Sequence, residues 1–298
     1  MEKIGFIGLG IMGKPMAMNL HKAGVELLVY DVNPGVLEEF QDAGVASASL
    51  REIGEECKVI FTILPSGGIV QEVLFGEGGV GETVKPGTVV CDMSSVTPVE
   101  SKTCAERLSV LGVGFVDSPV SGGEPKAIDG TLSFMAGGEE AHFNALKGYF
   151  EIMGASAILI GGSGSGSVTK LANQIIVNMT IAAVSEAFVL AAKAGADPVK
   201  VHQAIRGGLA GSVVMDAKIP MIVERNFKPG GKLSINHKDI KNVLATAHAI
   251  DVPVPLTSQL FEIMQALKVG GHMDEDHGGI VQYFEQLADV RVEKKPIR

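Results

Sequence analysis

The chain has 298 residues, 46% of them hydrophobic, with 38 Gly, no Trp and a formal net charge of −9. That size and apolar content suit one or two ordinary domains with a substantial aliphatic core. The acidic balance without a basic block argues against nucleic acid as a partner, because affinity there comes largely from Lys and Arg on phosphates, though a local positive pocket for a small anion remains open.

Cys57, Cys91 and Cys104 form no C-x-x-C pair, which suggests neither a disulfide framework nor a zinc site and points to a reducing compartment such as the cytoplasm. "MEKIGFIGLG" enters a strand at once, so no signal peptide is expected. From residue 1 to about 160, β-branched runs alternate with helix-like stretches: "KIGFI" then 11–23, "ELLVY" then 34–42, "KVIFTIL" then 67–75, "GTVVCDM" then 97–111. This alternation predicts α/β architecture, a doubly wound parallel sheet of the Rossmann type. "GFVDSPV", "TLSFMAG" and "ASAILI" continue the sheet, with a helix near 139–153. After "IGGSGSGS" the strands stop, and 165–194, 198–207, 212–224, 234–250, 255–269 and 277–290 read as helices. Two domains follow, a nucleotide-binding one over 1–162 and an all-helical one over 163–298.

"FIGLGIMG" sets Gly8, Gly10 and Gly13 as G-x-G-x-x-G between a strand and a helix. Such a turn, with Ile11 and Met12 inside it, lets a pyrophosphate rest on the positive helix N-terminus. Asp31 follows the second strand near the offset expected of an acid that binds the adenosine ribose. A carboxylate there repels a 2′-phosphate, and "VNPGVL" after it has no Arg or Lys, so NAD is expected over NADP. Leu64 and Pro65 in "LPSGG" and Thr97 in "DMSSVTP" follow later strands and are further expected cofactor contacts. A plain turn and a helix cap are their alternative readings.

Ser121, Gly122 and Gly123 offer backbone N–H groups and a hydroxyl suited to a carboxylate, although a hairpin-like turn explains them as well. The 165–194 helix is so apolar that it is expected to be buried on most faces. Its 175–192 stretch approaches membrane length but is broken by Asn178, Thr180, Ser185 and Glu186. Lys170 sits near its start, where the helix dipole disfavours a cation, and Asn173 is one turn on. An amine that readily exchanges its proton can serve as acid and base. "HMDEDH", with His272 and His277, hints at a metal, but a solvated acidic loop explains it better, so no metal is expected.

Four ordered stretches, "FIGLGIMGKPMAMNL", "DSPVSGGEPKAIDGTLSFMAGG", "GSVTKLANQ" and "NFKPGGKLSINHKD", resemble the β-hydroxyacid dehydrogenase family, which includes 3-hydroxyisobutyrate dehydrogenase. "SGGEPKAIDGTL" with "AIRGGLAGSVVMDAK" looks most like the branch that reduces tartronate semialdehyde. The resemblance implies a catalytic Lys170 with Asn173, a carboxylate loop at Ser121–Gly123, and a second lysine, Lys238, reaching substrate and cofactor. It implies hydride transfer between NADH and a small 3-oxo acid, in a site between the domains; separately, "IIVNMTIAAVSEAFVLAA" is more apolar than one domain face requires, so a homo-oligomer is expected. 3-Hydroxyisobutyrate dehydrogenase activity or that of another semialdehyde reductase of the family, and a non-catalytic dinucleotide sensor, are the alternatives. Gln174 departs from the family, where many relatives have a second Asn.

Overall fold

The computed structural model describes residues 2–294. Contacts divide the chain into two compact units that part between Lys170 and Leu171, inside a helix.

The first unit carries strands β1 (Ile4–Ile7), β2 (Leu27–Tyr30), β3 (Ala46–Ser47), β4 (Val59–Thr62), β5 (Val89–Asp92), β6 (Gly114–Asp117), β7 (Val120–Ser121), β8 (Leu132–Gly138) and β9 (Gly154–Gly161). Its helices are α1 (Gly13–Lys22), α2 (Pro34–Asp42), α3 (Leu50–Glu56), α4 (Gly67–Phe75), α5 (Pro98–Val110), α6 (Gly123–Ile128) and α7 (Glu140–Met153). The sheet order is β3-β2-β1-β4-β5-β6-β8-β7, with β9 on the other side of β8. Strands β1 to β6 are parallel, and Ile4 lies beside both Leu27 and Val59. Winding therefore reverses between β1 and β4, the switch point where such sheets bind ligands.

Buried strands send successive side chains to opposite faces. Ile4, Phe6, Val59 and Phe61 meet α1 and α7 through Met16, Leu20, Leu146 and Phe150. Ile7 and Ile60 pack with Ile53, Leu74 and Leu108 on the other face. The sheet is not wholly parallel: β8 runs antiparallel to β6 and β7. The short elements β3, α3, β7 and α6 were not expected either, because two to seven residues carry too little periodicity to read.

Helix α8 (Ser165–Lys193) leaves the first unit, and α9 (Pro198–Ile205), α10 (Val213–Val223), α11 (Leu233–Ala249), α12 (Pro255–Val269) and α13 (Val281–Ala288) complete the second. The expected 277–290 helix is divided, a 3₁₀ turn over His277–Ile280 preceding α13, which stops where Asp289 turns left-handed at φ 47°. The unit's cores gather Leu171, Ile181, Ile240 and Leu260, and Phe188, Met215, Ile219 and Val281.

Helix α8 corrects the expectation of burial on most faces. It is long and apolar enough to cross a membrane by length and composition, yet only 33% of its most apolar window is buried. Val168, Ile176 and Leu190 are exposed.

Candidate active site

The β1–α1 turn separates two kinds of glycine. A Cβ on Gly8, which sits at φ +98°, would overlap Ile63 O, and one on Gly13 would overlap Gly8 O. The protein's own backbone therefore demands both. A Cβ on exposed Gly10 would meet nothing within 4 Å. The space it leaves faces outward, as a closely approaching phosphate requires.

Met12 precedes α1 and supplies no side-chain cap, so the helix dipole is not countered there by a residue of the turn. Ile11 is half exposed and Met12 partly buried. Asp31 does more than its position in the sequence implied. Its Oδ2 accepts from Leu9 N at 2.6 Å and its Oδ1 from Asn33 N at 2.8 Å, so it shapes the glycine turn. Each oxygen keeps a further lone pair for a ribose hydroxyl.

A buried network joins the loops after β4 and β5. Thr62 Oγ1 donates to Asp92 Oδ1 at 2.7 Å, Ser94 N donates to the same oxygen at 3.1 Å, and Leu64 N donates to Ser94 Oγ at 2.8 Å. Burial pushes the Asp92 carboxyl up, against the pull of the Ser94 and Thr62 bonds. Pro65, next to Leu64, is exposed. Thr97 caps α5 in a reciprocal box, accepting from Glu100 N at 3.3 Å while Glu100 Oε2 accepts from Thr97 N at 2.8 Å. Thr62, Asp92 and Ser94 escaped the sequence reading, because nothing in their spacing marks a contact across thirty residues.

Past the carboxyl end of β6, β7 ends at Ser121, which is partly buried, and is followed by exposed Gly122 and Gly123 at φ +140° and +71°. Those angles suit glycine. They turn the chain into α6, after which it returns as β8, antiparallel to β7. Lys170 Nζ donates to Val120 O at 2.9 Å, which brings the amine to the residue before Ser121. The start of α8 is held by Asp117, fully buried, whose Oδ1 accepts from Gly164 N at 2.7 Å and Oδ2 from Ser167 N at 2.8 Å. Burial pushes the Asp117 carboxyl up to about 6, against those N–H bonds.

Within the second unit, Asn173 Nδ2 donates to Gln174 Oε1 at 3.0 Å. Gln174 Nε2 donates to Asp239 Oδ2 at 2.6 Å and to Asn236 Oδ1 at 3.2 Å, and Lys238 Nζ pairs with Asp239 Oδ1 at 3.0 Å. The structure thus joins Asn173 and Lys238 through buried Gln174, the residue that departs from the family pattern. The amide of Gln174 reaches directly to the Asp239 carboxylate.

The "HMDEDH" stretch is not the solvated loop expected. Asp276 is fully buried, accepting from Gly230 N and Gly231 N at 3.1 Å and pairing with Lys218 Nζ at 2.7 Å. Burial works against its ionisation, but His277, Lys218 and the Gly278 N–H hold its carboxyl below the usual range. It pins the "KPGG" turn instead. Among the described residues no group of three His, Cys, Asp or Glu could hold a metal ion.

Comparison with known proteins finds matches over nearly the whole length. Residues 3–162 match the family model for the NAD-binding domain of 6-phosphogluconate dehydrogenase, and residues 164–284 that for the NAD-binding region of NADP-dependent 3-hydroxyisobutyrate dehydrogenase. The chain is similar to 2-hydroxy-3-oxopropionate reductase of Escherichia coli K12, 43% identical with 96% of this chain and 98% of that one covered. It is 35% identical to 2-(hydroxymethyl)glutarate dehydrogenase of Eubacterium barkeri, with 97% of each covered. Among solved structures, a 3-hydroxyisobutyrate dehydrogenase from Salmonella typhimurium superposes with a TM-score of 0.86 at 29% identity, covering 95% of this chain and 99% of that one.

Proposed function

Because the chain belongs to the 3-hydroxyisobutyrate dehydrogenase family of β-hydroxyacid oxidoreductases, which bind a nicotinamide dinucleotide, we propose that it reduces tartronate semialdehyde to glycerate with NADH, reversibly. The observation that carries this reading is the amine of Lys170 at Val120 O, one residue from the Ser121–Gly123 loop. A cation and a set of backbone donors that close together suit a substrate with a carboxylate at one end and a carbonyl a bond or two away.

A nicotinamide dinucleotide held there would supply the hydride for the carbonyl carbon. Lys170 Nζ donates a proton to the carbonyl oxygen in reduction and takes it back in oxidation, with Val120 O fixing the direction of the ammonium. Ser121, Gly122 and Gly123 hold the substrate carboxylate. Asn173 orients the reacting oxygen, and Lys238, steadied by Asp239, adds positive charge toward substrate and cofactor.

Gly8, Gly10, Ile11, Met12 and Gly13 hold the pyrophosphate, Asp31 the adenosine ribose, and Leu64, Pro65 and Thr97 line the rest of the dinucleotide. Asp31, with no basic residue in the "VNPGVL" that follows it, favours NADH over NADPH. The exposed apolar residues of α8 favour a homo-oligomer, a dimer or tetramer, which light scattering would detect as a mass above 31.1 kDa. The buried free cysteines suit the reducing cytoplasm.

The test is a panel of tartronate, methylmalonate and succinate semialdehydes, each assayed with NADH and with NADPH. Highest kcat/KM for tartronate semialdehyde with NADH is expected, and preference for either other acid contradicts the assignment.

A further inference from the structure

The segment 117–121 grips α8 twice. At the end of β6, the Asp117 carboxylate takes two N–H groups at the start of the helix, from residues 47 and 50 positions later in the chain. Three residues further on, Val120 O takes the Lys170 amine. Together these contacts close a ring: the segment from 117 to 120, which links β6 to β7, the lysine side chain, and one helical turn back to Ser167. A helix rises ~1.5 Å per residue, so with both ends of the ring fixed the helix cannot slide by a residue along this segment without breaking a contact.

The packing around Asp117 is equally restrictive. A Cβ on Gly137 would stand 2.8 Å from Asp117 Oδ1 and 2.7 Å from Gly166 N, and one on Gly166 would stand 2.5 Å from Asp117 O. Ser101 Oγ on α5 meets Ser167 Oγ at 2.8 Å and ties the same turn from a second side. A local Ser or Asp would cap the helix without the desolvation that a fully buried carboxylate incurs. A distant acid instead fixes the helix against the end of β6, three residues before Val120 and the Ser121–Gly123 loop that follows it.

We propose that Asp117 is a positioning residue, setting where the Lys170 amine stands relative to the Ser121–Gly123 loop. It rests on the reading of Lys170 as proton donor. Asn at this position has one acceptor oxygen, and its NH₂ would confront an N–H, so one of the two grips is lost. Since ~1 Å of misplacement costs up to ~10²-fold in rate, Asp117→Asn should lower kcat with tartronate semialdehyde and NADH by ~10- to 10²-fold, with KM and NADH affinity within ~2-fold of wild type.

The distinguishing readout is the same substitution made in Lys170→Ala. A residue that acts only through Lys170 leaves the residual rate of that variant within ~2-fold. An equal loss in both backgrounds, or wild-type kcat in Asp117→Asn, overturns the proposal. Should Asp117→Asn fail to fold, Ser101→Ala loosens the same turn and keeps the carboxylate. It is expected to lower kcat by a few-fold in wild type and not in Lys170→Ala, and no loss in wild type counts against the proposal. Undiminished turnover in Lys170→Ala alone would remove the reading of Lys170 and this proposal with it, whereas an impaired Lys170→Ala with uncoupled Asp117 removes the proposal only.

Discussion

Helices α1 and α8 both follow glycine-rich stretches, "GLGIMG" and "GGSGSGS", and both begin in the first unit, yet their N-termini are put to opposite uses. At α1 no side chain caps the helix, and Gly10 leaves open space in front of it. At α8 the protein fills the position itself, with the buried Asp117 carboxylate on Gly164 N and Ser167 N. A run of glycines before a helix therefore does not define an anion site. What decides is whether the chain supplies its own anion, which it does at α8 and, of these two helices, does not at α1.

Substitutions that add a Cβ separate the two ends. The largest loss of stability is expected from Gly13→Ala and Gly166→Ala, because each new methyl would overlap backbone oxygen that cannot move aside, costing ~1–3 kcal/mol or more by thermal or denaturant unfolding. Wild-type stability in either would refute the close approach.

The pH response of the filled end is next. Asp117 is held at about 6 against an ordinary 3.8, so the folded chain keeps a proton that the unfolded chain has lost. Its contribution to stability is fully present below about pH 4 and is lost as pH rises through about 6, by at most about 3 kcal/mol. The lead of wild type over Asp117→Asn in melting midpoint should therefore be wider at about pH 4.5 than at about pH 7.5. A constant gap contradicts this.

At the open end, Gly10→Val should weaken NADH by ~10-fold or more while the melting midpoint of the ligand-free protein stays put. A lowered midpoint with intact NADH binding would reverse the assignment. Asp31→Ala is expected to be the mildest, weakening NADH by ~10-fold and improving the relative use of NADPH. Because Leu9 N also loses its acceptor, NADPH affinity should stay below that of wild type for NADH. An unchanged cofactor ratio excludes Asp31 from discrimination.

Much of this contrast was legible in the sequence, and the reasons for what was not are physical. The open end at α1 was visible because strand, glycine spacing and helix are contiguous, and the periodicity of the long helices was equally local. Asp117 was invisible as a helix anchor because its partners lie far along the chain, and Gln174 read as a departure until Asp239 and Asn236 were seen beside it. The reversed direction of β8 depends on how the chain returns across the sheet, which no pattern inside "TLSFMAG" records. Composition told that α8 is apolar, but not that Val168, Ile176 and Leu190 face outward.

The most direct test of the proposed chemistry is the rate of NADH oxidation by Lys170→Ala with tartronate semialdehyde, measured beside its NADH affinity. A loss of ~10²- to 10⁴-fold in kcat with NADH binding nearly unchanged is expected if the amine carries the proton. Turnover equal to wild type would contradict it.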